Sequence, residues 1–423
     1  MRTPLLALAA LLTLSFSARA QDIAGTWQAD GKPQRVLKIR KDAKGYRGEF
    51  YYLGDETPGQ PLGSNGVSSV SFVDGTIKFS LDKTGATFDG KLEGKTITGA
   101  WKTTYGQSQP LIFSRAAKGG EWVVDPSPHK DHFVTVQPGV KLEVLDWGGS
   151  GPPLIFLAGL TGTAHSFDSF APKFTAQHHV YGITRRGFGA SDAPPITNEN
   201  YDADRLGNDV LAVMDALKID HPVLAGHSIA GEELSSVGTR HPEKIGGLIY
   251  LDALYGYSFY NPAQEDHSVD SATVRRDLDQ LFDLQFSPAG TRALIAEILA
   301  TLPKLQTGLQ QMWADYEGMP ETPHVQTIED LAGNRIFTNT RRYGVAPTPI
   351  LAILARPRRC QPHCEKPFMQ KLMAAEAAHA EAFEKSSPSA HVVRIAGASH
   401  FIWRSNEADV LREMNAFLDG LPH

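Results

Sequence analysis

The sequence predicts two units of different kind: a small all-β antiparallel barrel or sandwich, then an α/β domain on a mostly parallel sheet with a helical insertion. Three observations lead there. Up to about Lys118, short stretches alternate apolar and polar residues between turn signals, the period of half-buried strands. After Pro153, near-continuous apolar runs alternate with helix-compatible segments, as in parallel strands covered on both faces. Between Ala253 and Thr348 the strands stop and apolar residues recur at helical spacing. A length of 423 residues also exceeds what one ordinary core organises.

In chain order, Met1-Arg2 precede an apolar run from Pro4 to Leu12, and Ala18-Arg19-Ala20 follows. A basic start, a short apolar stretch and an Ala-x-Ala ending predict a secretory signal peptide over residues 1–20, cut before Gln21. The expected location is therefore periplasmic or secreted. No other stretch is long and apolar enough to suggest a transmembrane helix, so no integral membrane segment is expected after signal removal.

Residues 21–118 carry the β pattern in Val36 to Arg40, in Ile77, Phe79 and Leu81 after the turn Asp74-Gly75, and around Phe88, Leu92 and Ile97. Residues 119–150 read as a linker and hairpin. Asp125-Pro126-Ser127-Pro128 stiffens the link, and Phe133 to Val136 can pair with Lys141 to Leu145 about Pro138-Gly139.

The α/β domain spans residues 151–423. Its expected strands include Leu154 to Leu157, Val180 to Thr184, Val223 to Ala225, Leu248 to Leu251, Ile350 to Leu354 and Val392 to Ile395. A helical cap is expected at about residues 254–346, opening on the aromatic run Leu254 to Tyr260. There Val274, Leu278, Leu281 and Phe282 repeat at helical spacing, as do Leu294, Ile295, Ile298, Leu299 and Leu302 until Pro303 interrupts. Such an insertion lies over the carboxyl edge of the sheet, where ligands bind in open α/β folds. Asn406 to Gly420, with Val410, Met414 and Phe417 on one face, is the closing helix.

Charge narrows the partners. There are 41 Lys and Arg against 47 Asp and Glu, a net charge of −6 without like-charged tracts. This excludes a nucleic-acid stripe or a polybasic membrane patch. The two cysteines, Cys360 and Cys364, suit a local disulfide in an oxidising compartment; a metal held by them and His363 lacks a fourth ligand. No metal or cofactor is expected, and nothing in the sequence sets an oligomeric state.

The chemistry gathers around Ser228. Val223 to Ala225 is strand-like, Gly226-His227-Ser228-Ile229-Ala230-Gly231 is small around the serine, and Glu232-Glu233-Leu234 can continue as a helix. That is the form of a nucleophile elbow, a strained strand-to-helix turn whose flanking residues must be small; an alanine stands where the second glycine is usual. Phe156-Leu157-Ala158-Gly159-Leu160-Thr161-Gly162, Thr184-Arg185-Arg186-Gly187-Phe188-Gly189-Ala190-Ser191-Asp192 and Gly397-Ala398-Ser399-His400-Phe401 are further motifs in order around it.

Together these make residues 151–423 resemble the α/β-hydrolase family, of the kind with a helical cap. The α/β-hydrolase fold is therefore expected. Gly25-Thr26-Trp27, echoed by Gly99-Ala100-Trp101, faintly resembles the first strand of lipocalin-like barrels, with the tryptophans read as core.

A serine hydroxyl becomes a good nucleophile only when a base takes its proton, and the resemblance places His400 in that role. It also implies an oxyanion hole from the backbone N–H groups of Leu160 and Ile229. The third member, the acid, has two candidates. Family members mostly carry it after the seventh strand, where Arg356-Pro357-Arg358-Arg359-Cys360 offers no carboxylate before Glu365; the other position, after the sixth strand, holds Asp252. Asp252 is preferred, with Glu365 as rival. His227 is read as structural and His165 as a loop residue. The expectation is a secreted serine hydrolase cleaving small-molecule esters through an acyl-enzyme, with a rate that falls at acid pH because His400 must be neutral. The alternative is a catalytically silent or hybrid binding protein whose N-terminal barrel holds a lipid or glycan, the hybrid using that module to target an active hydrolase to a surface or polymer.

Overall fold

The computed structural model describes residues 22–29, 34–54, 57–82, 85–102, 108–119, 121–122, 127–264, 266–282, 287–317, 328–359 and 367–422. The expected signal segment, Glu365 and the cysteine pair Cys360 and Cys364 lie outside them. The chain forms two compact units, the first reaching Trp122 and the second carrying the chain from Val123 to the C-terminus.

In the first unit β1 (Gly25–Ala29), β2 (Gln34–Asp42), β3 (Gly45–Gly54), β4 (Thr57–Val73), β5 (Thr76–Ser80), β6 (Thr87–Glu93), β7 (Thr96–Lys102) and β8 (Ser108–Arg115) form a closed barrel. β1 pairs antiparallel with β2 and with β8, which decides between the barrel and the sandwich that the sequence pattern left open. The turn before β5 places Asp74 at φ 48° and Gly75 at φ 76°, two successive left-handed residues as a tight hairpin requires. Inward positions alternate with exposed ones along β6. Trp27, Phe50, Phe88, Trp101 and Phe113 are all fully buried inside the barrel, with Trp101 stacked on Phe50 at 4.9 Å. Aromatic side chains thus fill the interior. Outside it, the Trp122 ring packs on Tyr51 at 4.8 Å.

The second unit contains β9 (Lys130–Gln137), β10 (Val140–Gly148), β11 (Pro153–Leu157), β12 (His179–Ile183), α1 (Ala203–Leu217), β13 (Val223–His227), α2 (Ala230–Arg240) and β14 (Gly247–Leu251). It continues with α3 (His267–Leu281), α4 (Pro288–Tyr316), α5 (Ile328–Phe337), β15 (Ile350–Leu354), α6 (Pro367–Ser386), β16 (His391–Arg394), α7 (Ile402–Ser405) and α8 (Glu407–Asp419). The strands form one sheet in the order β16-β15-β14-β13-β11-β12-β10-β9. Strands β11 to β16 pair in parallel, and the hairpin β9–β10 adds antiparallel to β12. Every residue of β13, β14 and β15 is buried, because both faces are covered. Residues of α1, α2 and α6 pack on one face, including Val213, Leu234 and Phe383. On the other lie Phe167, Phe170 and Trp403 together with Val410 and Met414 of α8.

Helices α3, α4 and α5 fall between β14 and β15, the sixth and seventh strands of this sheet. The Asp266 carboxylate caps α3 by accepting from the Ser268 and Val269 amides, each at 3.1 Å. One expectation is corrected here: Pro303 does not end its helix, which runs through it from Pro288 to Tyr316. Proline removes a single backbone donor and crowds one turn. The turn that follows is supported by the Thr307 hydroxyl, which donates to the Pro303 carbonyl at 3.1 Å.

Candidate active site

β13 delivers its chain into a sharp bend at Ser228, which sits at φ 54° before α2 begins at Ala230. A non-glycine residue held in the left-handed region is strained, and the strain needs close support from its surroundings. The Ser228 amide donates to the Leu251 carbonyl at 3.4 Å, and the Gly231 amide to the Ser228 carbonyl at 2.9 Å. The small residues around the serine have separate duties. A Cβ on Gly226 would lie 3.1 Å from the Ala230 Cβ, so these two positions limit one another. A Cβ on Gly231 would lie 2.1 Å from the Ala253 carbonyl oxygen, so glycine is required where α2 passes the end of β14. The displaced glycine of this elbow therefore has a steric cause.

The loop after β11 abuts the bend. A Cβ on Gly159 would come within 2.6 Å of His227 Nδ1 and 3.2 Å of the Ser228 Cβ. Thr161 takes φ 60°, and the Gly162 amide closes the turn on the Gly159 carbonyl at 3.1 Å. Arg185 ties this loop to α2. Its Nη2 donates to the Ala158 carbonyl at 2.9 Å, while Nε and Nη2 grip the two oxygens of Glu233 at 2.7 and 2.6 Å. Among the described residues, no backbone carbonyl outside the helices and strands accepts from the amides of Leu160 or Ile229.

His400 and Asp252 meet although they are 148 positions apart, His400 Nδ1 lying 2.7 Å from Asp252 Oδ2. Asp252 follows β14 at φ 43° and is fully buried. Burial pushes its carboxyl upward, but the His400 hydrogen bond and the positive charges of Arg356 and Arg358 outweigh this and hold it below the usual range. It is therefore an ionised acceptor at neutral pH. His400 itself is partly exposed, on the loop after β16. That loop is fastened to the one after β15: the Gly397 amide donates to the Pro357 carbonyl and the Arg359 amide to the Ala398 carbonyl, each at 2.9 Å.

His227 does more than fill space. Burial first, and then the neighbouring His400, push its imidazole well below the ordinary histidine range, so it is neutral. Its Nε2 lies 3.0 Å from the His400 carbonyl and donates there, fixing the backbone of the histidine loop. Burial raises the Tyr257 phenol far above the usual range, so it stays protonated. Ala332 and Ile336 of α5 pack with Ile229, Phe188 and Leu160, so the helical insertion covers the apolar side of the bend.

Residues 152–403 match the family model described as alpha/beta hydrolase fold, well over half of the chain. The chain belongs to this family. Among curated proteins it is similar to 2-(acetamidomethylene)succinate hydrolase of Mesorhizobium japonicum, at 23% identity over 156 residues, covering 36% of this chain and 52% of that one. It is also similar to bifunctional epoxide hydrolase 2 of Rattus norvegicus, at 23% identity over 223 residues, 48% of this chain and 38% of that one. The chain thus spans about half or less of the length of these relatives. A solved E-2-(acetamidomethylene)succinate hydrolase superposes with a TM-score of 0.44 at 17% identity, covering 69% of this chain and 100% of that one.

The expected residues fall as follows. His400 and Asp252 are in contact, Ser228 occupies the bend, Ile229 follows it directly, and Leu160 packs against the cluster that contains Ile229. Glu365 lies outside the described residues. His165 lies between two acids, Nδ1 at 3.1 Å from Asp168 and Nε2 at 3.7 Å from Glu143. Among the described residues, no group of three or more His, Cys, Asp or Glu is placed to hold a metal ion, and no helix is long and apolar enough to cross a membrane. The sequence reading passed over the groups behind Asp252, namely Arg356, Arg358, Tyr255 and Glu376. A signal was available, since two arginines directly after a buried strand call for buried carboxylates to pair with.

Proposed function

We propose that the chain is a serine hydrolase cleaving small carboxylic esters through an acyl-enzyme on Ser228. His400 takes the proton from the Ser228 hydroxyl as that oxygen attacks the ester carbonyl, and Asp252 holds the imidazole so that Nε2 is the accepting nitrogen. The amides of Leu160 and Ile229 receive the oxyanion of the tetrahedral intermediate. His400 then returns the proton to the departing alcohol, and water repeats the sequence to release the acid. The observation that supports this reading is the 2.7 Å pairing of His400 with the buried Asp252, together with the strained Ser228 at φ 54°, whose chain neighbour His227 packs its ring 4.5 Å from that of His400.

A nucleophilic serine separates this reading from hydrolases of the same fold that attack through an aspartate. Helices α3 to α5 form the cap, and the packing of Ala332 and Ile336 of α5 on Ile229, next to Ser228, supports an enclosed apolar site for an uncharged acyl group of modest size. Residues 1–20 direct the protein to the periplasm or the medium. The filled interior of the N-terminal barrel supports an accessory role for that unit rather than ligand storage inside it.

The test is to quench the protein in acid during turnover of p-nitrophenyl acetate and map the adduct. An acetyl group on the peptide containing Ser228, absent in Ser228→Ala, is the expected result. Turnover with no acylated peptide, or with Ser228→Ala fully active, would remove the acyl-enzyme.

A further inference from the structure

Two guanidiniums converge on the carboxylate that His400 contacts. Arg356 is only 7% exposed, and its Nη1 donates to Asp252 Oδ1 at 3.0 Å. The Ala355 amide donates to the same oxygen at 3.1 Å. Arg358 Nη2 lies 3.4 Å from Asp252 Oδ2, the oxygen bonded to His400, and also donates to the Tyr255 hydroxyl. Both arginines reach back to Glu376 of α6, Arg356 at 3.5 Å and Arg358 at 3.1 Å. The result is a closed cluster of two cations and two carboxylates in which neither oxygen of Asp252 is left without a donor.

The charge balance has a chemical consequence. With His400 neutral the four groups sum to zero, and a proton on His400 makes the cluster net positive. A buried aspartate acting alone would draw that proton onto the imidazole and disable the base; the two guanidiniums oppose this. An arginine pair also fixes the orientation of a carboxylate, because the planar forks accept few geometries.

We infer that Arg356 and Arg358 are positioning residues of the hydrolytic site, Arg356 aiming Asp252 at His400 and Arg358 setting the pH range in which His400 serves as base, with Glu376 moderating both. The inference rests on the triad proposed above. The other titratable or charged groups near the pair are Tyr255 and Tyr257 after β14, His227 at the end of β13, His379 of α6 and Arg404 in α7. The two phenols stay protonated, and burial keeps His227 and His379 below the ordinary histidine range; Arg356 and Arg358 on one side and Glu376, whose carboxyl burial raises and the two arginines pull down, on the other are the charges that substitution can remove with opposite sign.

The experiment is a pH profile of kcat/KM on p-nitrophenyl acetate for the full chain, preceded by fluorophosphonate labelling of Ser228. Arg358→Gln should move the acid limb to higher pH by about one unit, because the imidazolium is no longer opposed. Glu376→Gln should move it to lower pH, and Arg358→Lys should return it towards the original position. Arg356→Gln should lower kcat about tenfold or more with KM unchanged, since it loosens the aim of the carboxylate, and should also move the acid limb to higher pH, since it removes a positive charge beside Asp252. A labelled protein whose acid limb stays in place in both Arg358→Gln and Glu376→Gln overturns the inference and leaves the triad standing. Failure of the unsubstituted protein to label at Ser228 removes the triad and the inference with it. Should Arg358→Gln not fold, the near-isosteric Glu376→Gln decides alone, by a downward shift or none.

Discussion

Asp252→Asn separates the roles of this residue most sharply. The substitution keeps size and shape at a fully buried position but removes the charge. Asp252 accepts from His400 at 2.7 Å, from Arg356 at 3.0 Å and from the Ala355 amide at 3.1 Å. An asparagine can satisfy the last two with its amide oxygen, which turns its NH2 towards His400 Nδ1. That nitrogen must then accept, and the imidazole proton moves to Nε2, where it cannot take a proton from Ser228. In serine triads this exchange costs about 10⁴-fold in kcat, or about 5.5 kcal/mol of barrier at about 1.36 kcal/mol per decade. Stability should suffer too, because Arg356 and Arg358 keep Glu376 alone as counter-charge. Leaving a buried charge without its partner costs about 3–5 kcal/mol, and the retained amide acceptor favours the lower figure. The assay is kcat/KM on p-nitrophenyl acetate with a thermal melt, beside Glu365→Gln. The expectation is loss of activity and a lowered melting temperature for the first variant, and neither for the second. Asp252→Asn retaining activity within about tenfold of the unsubstituted protein would refute the assignment, and collapse of Glu365→Gln would move the acid there.

Gly231→Ala gains about 1 kcal/mol of helix propensity. It also sets a Cβ 2.1 Å from the Ala253 carbonyl oxygen, so net destabilisation and lost activity are expected in a denaturant titration and an ester assay. His165 is pushed up to about 10 because its hydrogen bonds to Asp168 and Glu143 outweigh burial, which acts the other way. Its contribution to stability is therefore complete below the ordinary histidine range and fades as pH rises towards about 10. The melting-temperature advantage of the native protein over His165→Gln should shrink across that interval, and a constant difference would contradict the coupling. Expression of the full chain in a bacterium, followed by N-terminal sequencing of the periplasmic fraction, should read from Gln21; full-length protein confined to the cytoplasm would oppose secretion.

What the sequence revealed, and what it concealed, follows from how local each feature is. The bend at Ser228 was legible because its steric demands fall on immediate neighbours, Gly226, Ala230 and Gly231. The strands β13, β14 and β15 were legible because burial on both faces leaves unbroken apolar runs. Barrel closure was not, since the pairing of β1 with β8 joins Trp27 to Arg115 and leaves no mark on either segment alone. Arg356 and Arg358 were read only for the carboxylate they lack. Their partners Asp252 and Glu376 come from separate elements and meet only in the folded sheet. Pro303 misled in the opposite direction, because a local rule about helix interiors was outweighed by the rest of a long helix packed along its Leu294 and Ile298 side.

The central claim is that Ser228 is an activated nucleophile, and fluorophosphonate labelling of the folded protein with the modified peptide mapped by mass spectrometry tests it most directly. Stoichiometric modification at Ser228, abolished in His400→Ala, is the result expected of the assembled triad. A folded protein that leaves Ser228 unmodified, or that labels equally without His400, would contradict it.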